Sequence, residues 1–245
     1  MIVCSVATVP GREVYLARTL RTLRPQVDLL VLHVWDDVLP KLDMDLFMSF
    51  AALPDMIRCS SEISGRTSTE AKFWIAHKDH WPHGGRGNDD VHLACDDDLL
   101  YPPDYAARMV EELDRHHPGA GAVGVHAAAL VEGPITTYRR SIRHVASTED
   151  PLDACRRVDV LGAGTVAYRP ARWQFDDEDF VEDNAGDAGF ALAAARRRLS
   201  LVAVQRPARW LVDQRAPDPL WDRADRHTHD GAPARVLRRI PRRRV

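Results

Sequence analysis

Lysine is nearly missing from this chain. Of the 33 basic residues in 245, only Lys41, Lys72 and Lys78 are lysine, and the rest are arginine. A single arginine is therefore weak evidence for phosphate binding, whereas a lysine stands out. Net charge is also small. The 33 Lys and Arg nearly balance 36 Asp and Glu, leaving a formal charge of −3. That balance gives no general polyanion signal, and no nucleic acid partner is expected. Cysteine is sparse. Cys4, Cys59, Cys95 and Cys155 form no Cys-x-x-Cys pair, which argues against a zinc knuckle or a disulfide framework and suits a reducing cytoplasm. No run approaches the roughly 18 apolar residues of a membrane span. Met1 to Val6 lacks the charged segment and long apolar stretch of a secretion signal.

What is present is a globular composition, 45% hydrophobic and 28% charged, enough to bury a sizeable core. Ile2 to Ala7 is a short apolar run that enters a turn at Thr8-Val9-Pro10-Gly11-Arg12, and it predicts a buried strand. Val14, Leu16, Leu20 and Leu23 recur at helical spacing, and Pro25 ends that helix. Leu29 to Trp35 predicts a second strand, Asp43 to Leu53 a short helix and Met56 to Cys59 a short strand. Thr69 to His80 predicts a helix with Phe73, Ile75 and Ala76 facing inward. Val91 to Cys95 is a strand that runs into Asp96-Asp97-Asp98. Pro102-Pro103-Asp104 opens a helix reaching about His116. Ala120 to His126 predicts a buried strand. Val158 to Arg169, with Gly162-Ala163-Gly164 inside it, predicts two short strands around a tight bend. Asp187 to Arg198 is an alanine-rich helix, and Leu201 to Val204 is the last clear strand.

Alternating strands and helices favour an α/β sheet covered on both faces. Ligands of such sheets sit beyond the carboxyl ends of strands, where strand order reverses. Thr8 to Arg12, Asp36-Asp37 and Asp96 to Asp98 occupy those ends.

The acidic triplet is the sharpest feature. Two unit charges about 5 Å apart cost roughly 3 kcal/mol at an effective dielectric near 20. Raised pKa values relieve that repulsion, and a hard cation such as Mg²⁺ or Mn²⁺ relieves it better. The competing reading is a solvated acidic turn that caps the helix starting near Pro102.

The segment Asp90-Val91-His92-Leu93-Ala94-Cys95-Asp96-Asp97-Asp98 and its continuation to Tyr105 resembles the Asp-x-Asp region of glycosyltransferases with the GT-A fold. The bacterial family of such sugar transferases is the nearest in pattern. Val6 to Glu13 looks like that family's first strand and turn. Ala122 to His126 looks like the strand on its acceptor side, and Leu161 to Arg169 like its glycine-rich strand pair. Asn184 to Phe190 looks like its late acidic helix start.

The resemblance implies one GT-A (Rossmann-like) domain over residues 1–215, with a mixed, mostly parallel central sheet and helices on both faces. Residues 1–126 would be the nucleotide-sugar half and 127–215 the acceptor half. Residues 216–245 would be a C-terminal loop and basic tail, open to peripheral contact with a membrane.

It further implies a metal-dependent, inverting transfer of a sugar from a nucleotide diphosphate donor, a UDP-sugar by family frequency, to a hydroxyl or amine of a small molecule or glycan. Asp98 would hold Mn²⁺ or Mg²⁺. Asp96 would hold the ribose or reach the metal through water, and Asp97 would point away. His229, in His227-Thr228-His229-Asp230, would complete the metal shell. Thr8, Pro10 and Arg12 would line the base and diphosphate pocket, and Asp36 would bond the uracil or ribose. Lys72 would face the donor phosphates, with a helix-surface lysine as the alternative.

Asp187 would be the general base, with Asp183 and Glu182 as substitutes and a plain helix cap as the structural alternative. The acidic stretch from Phe175 to Asp183 reads as a solvated loop that attracts a cationic acceptor. His126 would face the acceptor or pack in the core, and Trp210 would stack on a sugar or be buried. Two rival classes remain. One is a nucleotidyltransferase, which usually shows a glycine-rich first turn followed by lysine. The other is a binding module that docks through Arg235 to Arg244.

Overall fold

The computed structural model describes residues 1–9, 11–34, 36, 39–49, 53–59, 70–74, 87–116, 120–173, 175, 178–180, 182, 185–216, 227 and 231–241. In chain order the helices are α1 (Glu13–Leu23), α2 (Met44–Ser49), α3 (Ala71–Trp74), α4 (Tyr105–Arg115), α5 (Tyr138–Ser141), α6 (Gly186–Arg196) and α7 (Ala232–Leu237). The strands are β1 (Ile2–Ala7), β2 (Leu29–Val34), β3 (Met56–Cys59), β4 (Val91–Cys95), β5 (Leu99–Leu100), β6 (Ala120–Gly124), β7 (Ala127–Leu130), β8 (Ile142–Ala146), β9 (Arg156–Val158), β10 (Val160–Leu161), β11 (Thr165–Tyr168), β12 (Ser200–Ala203) and β13 (Val212–Asp213).

Eight strands form the main sheet in the order β3-β2-β1-β4-β11-β6-β12-β9. From β3 to β4 every pairing is parallel. β11 runs antiparallel to both β4 and β6, and β12 returns parallel to β6. β9 closes the edge antiparallel to β12. This is the mixed, mostly parallel sheet that the alternating pattern predicts. Because β1 lies between β2 and β4, the order reverses at β1 and opens a crevice at the carboxyl ends of β1 and β4.

Alternation along the strands fills two cores, as a pleated sheet requires. Cys4, Val6, Leu93 and Ala167 face α1 and α4, packing on Leu16, Leu20, Tyr105 and Met109. Val3, Ala94, Val166 and Tyr168 face the other way, onto Phe73, Trp173, Phe175, Phe180 and Phe190. α1 keeps its predicted bounds. Gly11 turns the chain into it at φ +85, a conformation that disfavours any side chain.

Several expectations are corrected. Of the helix predicted over 43–53 the described part is Met44–Ser49, with residues 50–52 outside the described residues, and of the helix predicted over 69–80 the described part is Ala71–Trp74. The two short strands expected around Gly162-Ala163-Gly164 are present as β10 and β11, but they belong to different sheets. β10 joins a separate antiparallel sheet, β10-β7-β8, while β11 lies in the main sheet. The bend must cross between sheets, which local sequence does not reveal. The segment expected as loop and basic tail contains α7, whose Ala232, Val236 and Leu237 pack with Ala188, Ala191 and Leu192 of α6. Within it Arg235 pairs with Glu182 at 2.8 Å. Among the described residues no helix is long and apolar enough to cross a membrane.

Candidate active site

The crevice between β1 and β4 collects the acidic triplet, but each of the three acids has a different neighbour. Asp97 is buried and points into the fold, away from the open edge of the crevice. Its Oδ2 accepts from the Thr8 hydroxyl at 2.7 Å, and its Oδ1 accepts from Arg12 at 2.8 Å. Arg12 also reaches Asp98 Oδ2 at 3.2 Å. Thr8 and Arg12, expected to line a donor pocket, thus clamp the β1 turn onto the β4 end. The Arg12 side chain, at the N-cap of α1, makes no cap hydrogen bond. Thr19 of α1 donates to the carbonyls of Asp97 and Leu99 and fixes the same turn from below.

Asp96 meets Lys72 at 2.5 Å. Lys72 is 1% exposed and Asp96 is 42% exposed, so the cation is sealed and the anion faces the crevice. This excludes the helix-surface alternative for Lys72. Burial lowers the Lys72 pKa, but Asp96 and then Asp187 outweigh it and raise the net value. The backbone of Asp96 is held as well. Its N–H donates to the Tyr101 hydroxyl at 2.8 Å, and that hydroxyl donates to the Gly164 carbonyl at 2.7 Å. Gly164 is required by this approach, because a Cβ there would lie 1.8 Å from Asp96 Oδ2.

Asp98 remains the most strained of the three. Burial, then Asp96 and Asp97, push its carboxyl up to about 7 against the pull of Arg12. Asp213, brought alongside by the β13–β5 pairing, pushes the same way. Two resident cations therefore leave the crevice anionic, with Asp96 and Asp98 open to its edge. That pair suits Mg²⁺ or Mn²⁺, which take one or two carboxylates and fill their remaining positions with water and phosphate.

Asp187 sits in the first turn of α6, across the bend from Asp96. Its Oδ1 accepts from the Ala163 N–H at 2.9 Å and its Oδ2 from the Tyr138 hydroxyl at 3.1 Å. The carboxylate thereby fixes the 162–164 bend, with both of its oxygens accepting hydrogen bonds. Glu70, just before α3, accepts from the Ala185 N–H at 2.6 Å, which ties the start of α6 to the Lys72 helix. His126 is half-buried against Gly162, where a Cβ would meet its Nδ1 at 2.7 Å. Its ring stacks on His144 at 5.3 Å. Burial lowers its pKa, partly offset by Asp187, so the ring is neutral at pH 7.

Asp36 is exposed just past β2, at the same edge of the sheet. Pro10, Asp183 and His229 lie outside the described residues. Trp210 is buried, donates to Asp104 at 3.2 Å and lies under Arg108, so it is not a sugar platform. The acidic stretch before α6 is not simply a solvated loop. Asp179 is buried in a two-pronged pair with Arg197 at 2.7 and 2.8 Å, and Glu182 holds Arg235. Both charges are neutralised within the chain, which removes the support for a cationic acceptor at those residues. Sequence reasoning did not single out Tyr101, Tyr138 or Thr19. Each acts through a contact far away in the chain, and no local signal marks it.

No protein-family model and no curated protein matches the chain. Among solved structures, a crystal structure of a mycobacterial protein is similar at 14% identity and a TM-score of 0.48, covering 84% of this chain and 67% of that one. The structure of CMP:2-keto-3-deoxy-manno-octonic acid synthetase complexed with CTP is similar at 11% identity and a TM-score of 0.46. It covers 84% of this chain and 90% of its own. Likeness of this size decides neither the reaction nor the ligand.

Proposed function

We propose that the chain is an enzyme of nucleotide-activated sugars, and that it transfers the sugar from a nucleotide diphosphate donor to an acceptor hydroxyl or amine. The observation that carries this reading is the acidic triplet at the point where strand order reverses: three carboxylates meet only Lys72 and Arg12, and Asp96 and Asp98 still open to the crevice edge. Asp98 and Asp96 would hold Mg²⁺ or Mn²⁺. The ion supplies Lewis-acid neutralisation of a departing diphosphate. Lys72 holds the Asp96 carboxylate in place, and Arg12 does the same for Asp97 and Asp98. The 162–164 bend, fixed by Asp187, forms the wall opposite the triplet and positions the acceptor side. Asp187 accepts the acceptor's proton, with each of its oxygens also holding a donor.

The engagement of both Asp187 oxygens favours a second reading. In nucleotidyl transfer onto a sugar phosphate the attacking phosphate oxygen is already ionised and needs no general base. Against it stands the first turn, with Gly11 alone and Arg12 engaged on carboxylates.

Purified protein is incubated with Mn²⁺ and separate panels of nucleotide sugars and of nucleoside triphosphates with sugar phosphates or acids. Release of a nucleoside diphosphate supports glycosyl transfer, and release of pyrophosphate supports the second reading. Asp98→Asn is expected to abolish the metal-dependent thermal shift produced by the nucleotide. Retention of that shift in Asp98→Asn would sink both readings.

A further inference from the structure

A second cluster lies apart from the acidic triplet. Among the described residues, Glu112, His116 and Cys155 are the one group of three whose ligand atoms all fall within 4.8 Å of each other. Glu112 and His116 stand one turn apart at the end of α4. Cys155 precedes β9 and is 43 residues beyond Glu112.

Two of the three spacings match the edges of a tetrahedral coordination sphere. A tetrahedral zinc with Zn–N and Zn–O of about 2.0–2.1 Å and Zn–S of about 2.3 Å sets N···O edges of about 3.4 Å and O···S edges of about 3.5 Å. Here His116 Nε2 lies 3.4 Å from Glu112 Oε2, and Cys155 Sγ lies 3.4 Å from the same oxygen. His116 Nε2 is closed off from solvent and has no hydrogen-bond partner. An acceptor-capable nitrogen in that position is costly unless something occupies it.

The surroundings also behave as a supporting shell. Arg115 binds the other oxygen, Oε1, of Glu112, which turns Oε2 toward the cysteine and histidine. The Gln205 N–H donates to Cys155 Sγ at 3.3 Å and steadies the sulfur as an electron-rich ligand. Outer hydrogen bonds of this type orient metal ligands and tune them. Glu112 itself is buried, so its carboxylate is shielded from water.

The geometry points to a zinc site formed by Glu112, His116 and Cys155, with one position left for water. The mixed S, N, O donor set suits a borderline-soft ion and not Mg²⁺ or Ca²⁺. The ion fastens the end of α4 to the β9 edge of the main sheet, where β9 is a strand of three residues. The sequence hides this site because the sulfur comes from a distant segment and no Cys-x-x-Cys pair announces it.

Chelator-stripped full-length protein is titrated with Co²⁺ as a spectroscopic probe and then with Zn²⁺. One equivalent of Co²⁺ should give intense tetrahedral d–d bands with a thiolate-to-metal charge-transfer band, and Zn²⁺ should displace both. His116→Gln and Cys155→Ala should each weaken Co²⁺ binding at least about 100-fold, beyond the effect of losing an outer-shell partner. Asp98→Asn should leave the spectrum unchanged. The thiolate band should vanish in Cys155→Ala. Its persistence there, or its absence from the unmodified protein, overturns the proposal. If Cys155→Ala does not fold, His116→Gln decides alone, and an unchanged affinity in that folded variant overturns the proposal equally.

Discussion

Replacing Gly164 by alanine tests the crevice with one methyl group. The added Cβ would lie 1.8 Å from Oδ2, 2.0 Å from Cγ and 2.6 Å from Oδ1 of Asp96. Real Cβ contacts essentially never fall below 3.0 Å, so Asp96 Oδ2 must retreat by about 1.2 Å or more. It has somewhere to go, because the carboxylate is 42% exposed and ends a short flexible side chain. The fold therefore survives and the side chain swings toward solvent. That motion breaks the contact with Lys72, which is 1% exposed. Removing one partner of a fully buried pair costs about 3–5 kcal/mol. Asp96 is partly solvated and Asp187 still faces Lys72, so the expected loss is smaller, about 1–3 kcal/mol. Gly164 does not adopt a positive φ, so alanine brings no backbone strain there. Gly133→Ala is the matched control: its φ is +102 with open space around it, so it suffers strain without touching the site. Chemical denaturation gives the stability change, and a thermal-shift titration with Mn²⁺ and nucleotide gives binding. Gly164→Ala should lose metal-dependent nucleotide binding to the same extent as Asp96→Asn, while Gly133→Ala keeps it. Wild-type nucleotide binding in a folded Gly164→Ala protein would refute the placement of Asp96 in the donor site.

Arg12→Ala strands the buried Asp97 with Thr8 as its remaining side-chain donor, and should destabilise the protein by about 3–5 kcal/mol in urea titrations; a change under about 1 kcal/mol would mean that the clamp contributes little. Asp187→Asn should preserve nucleotide binding and lower turnover by about 10²-fold, measured as kcat with saturating donor; an unchanged kcat would leave Asp187 only its grip on Ala163. Burial lowers the pKa values of His33 and His92 to about 3, whereas an unfolded histidine titrates near 6.5. The unfolded chain thus binds more protons below pH 6.5, and stability falls from there down to about pH 3, by about 2–3 kcal/mol per histidine at pH 4.5. Asp98, raised to about 7, opposes this trend, since its penalty is relieved as pH falls. Comparing urea midpoints of the wild type and His92→Asn between pH 7.5 and 4.5 isolates the histidine, and the variant should lose about that much less on acidification.

The elements legible in the chain are those whose signals are local. β1, β3, β4 and α1 have the bounds that apolar runs, helical spacing and prolines predict, because each signal lies within the element itself. The two strands expected around Gly162 are present, but their partners are not local: β10 pairs with β7, and β11 with β4 and β6.

The same division holds for the site. Three adjacent carboxylates at the end of a buried strand mark a place of electrostatic conflict from sequence alone, because repulsion between neighbours needs no fold. Which cation answers each carboxylate is decided by sheet order. It sets the β1 turn beside the β4 end, so Arg12 takes Asp97 and Asp98, and it lays α3 across the crevice, so Lys72 takes Asp96. Likewise, one helical turn fixes Glu112 beside His116, whereas only the packing of β9 on β12 delivers Cys155. Composition and periodicity specify what each segment can bury. The partners of a buried charge lie tens of residues away, and the chain must close on itself before they meet.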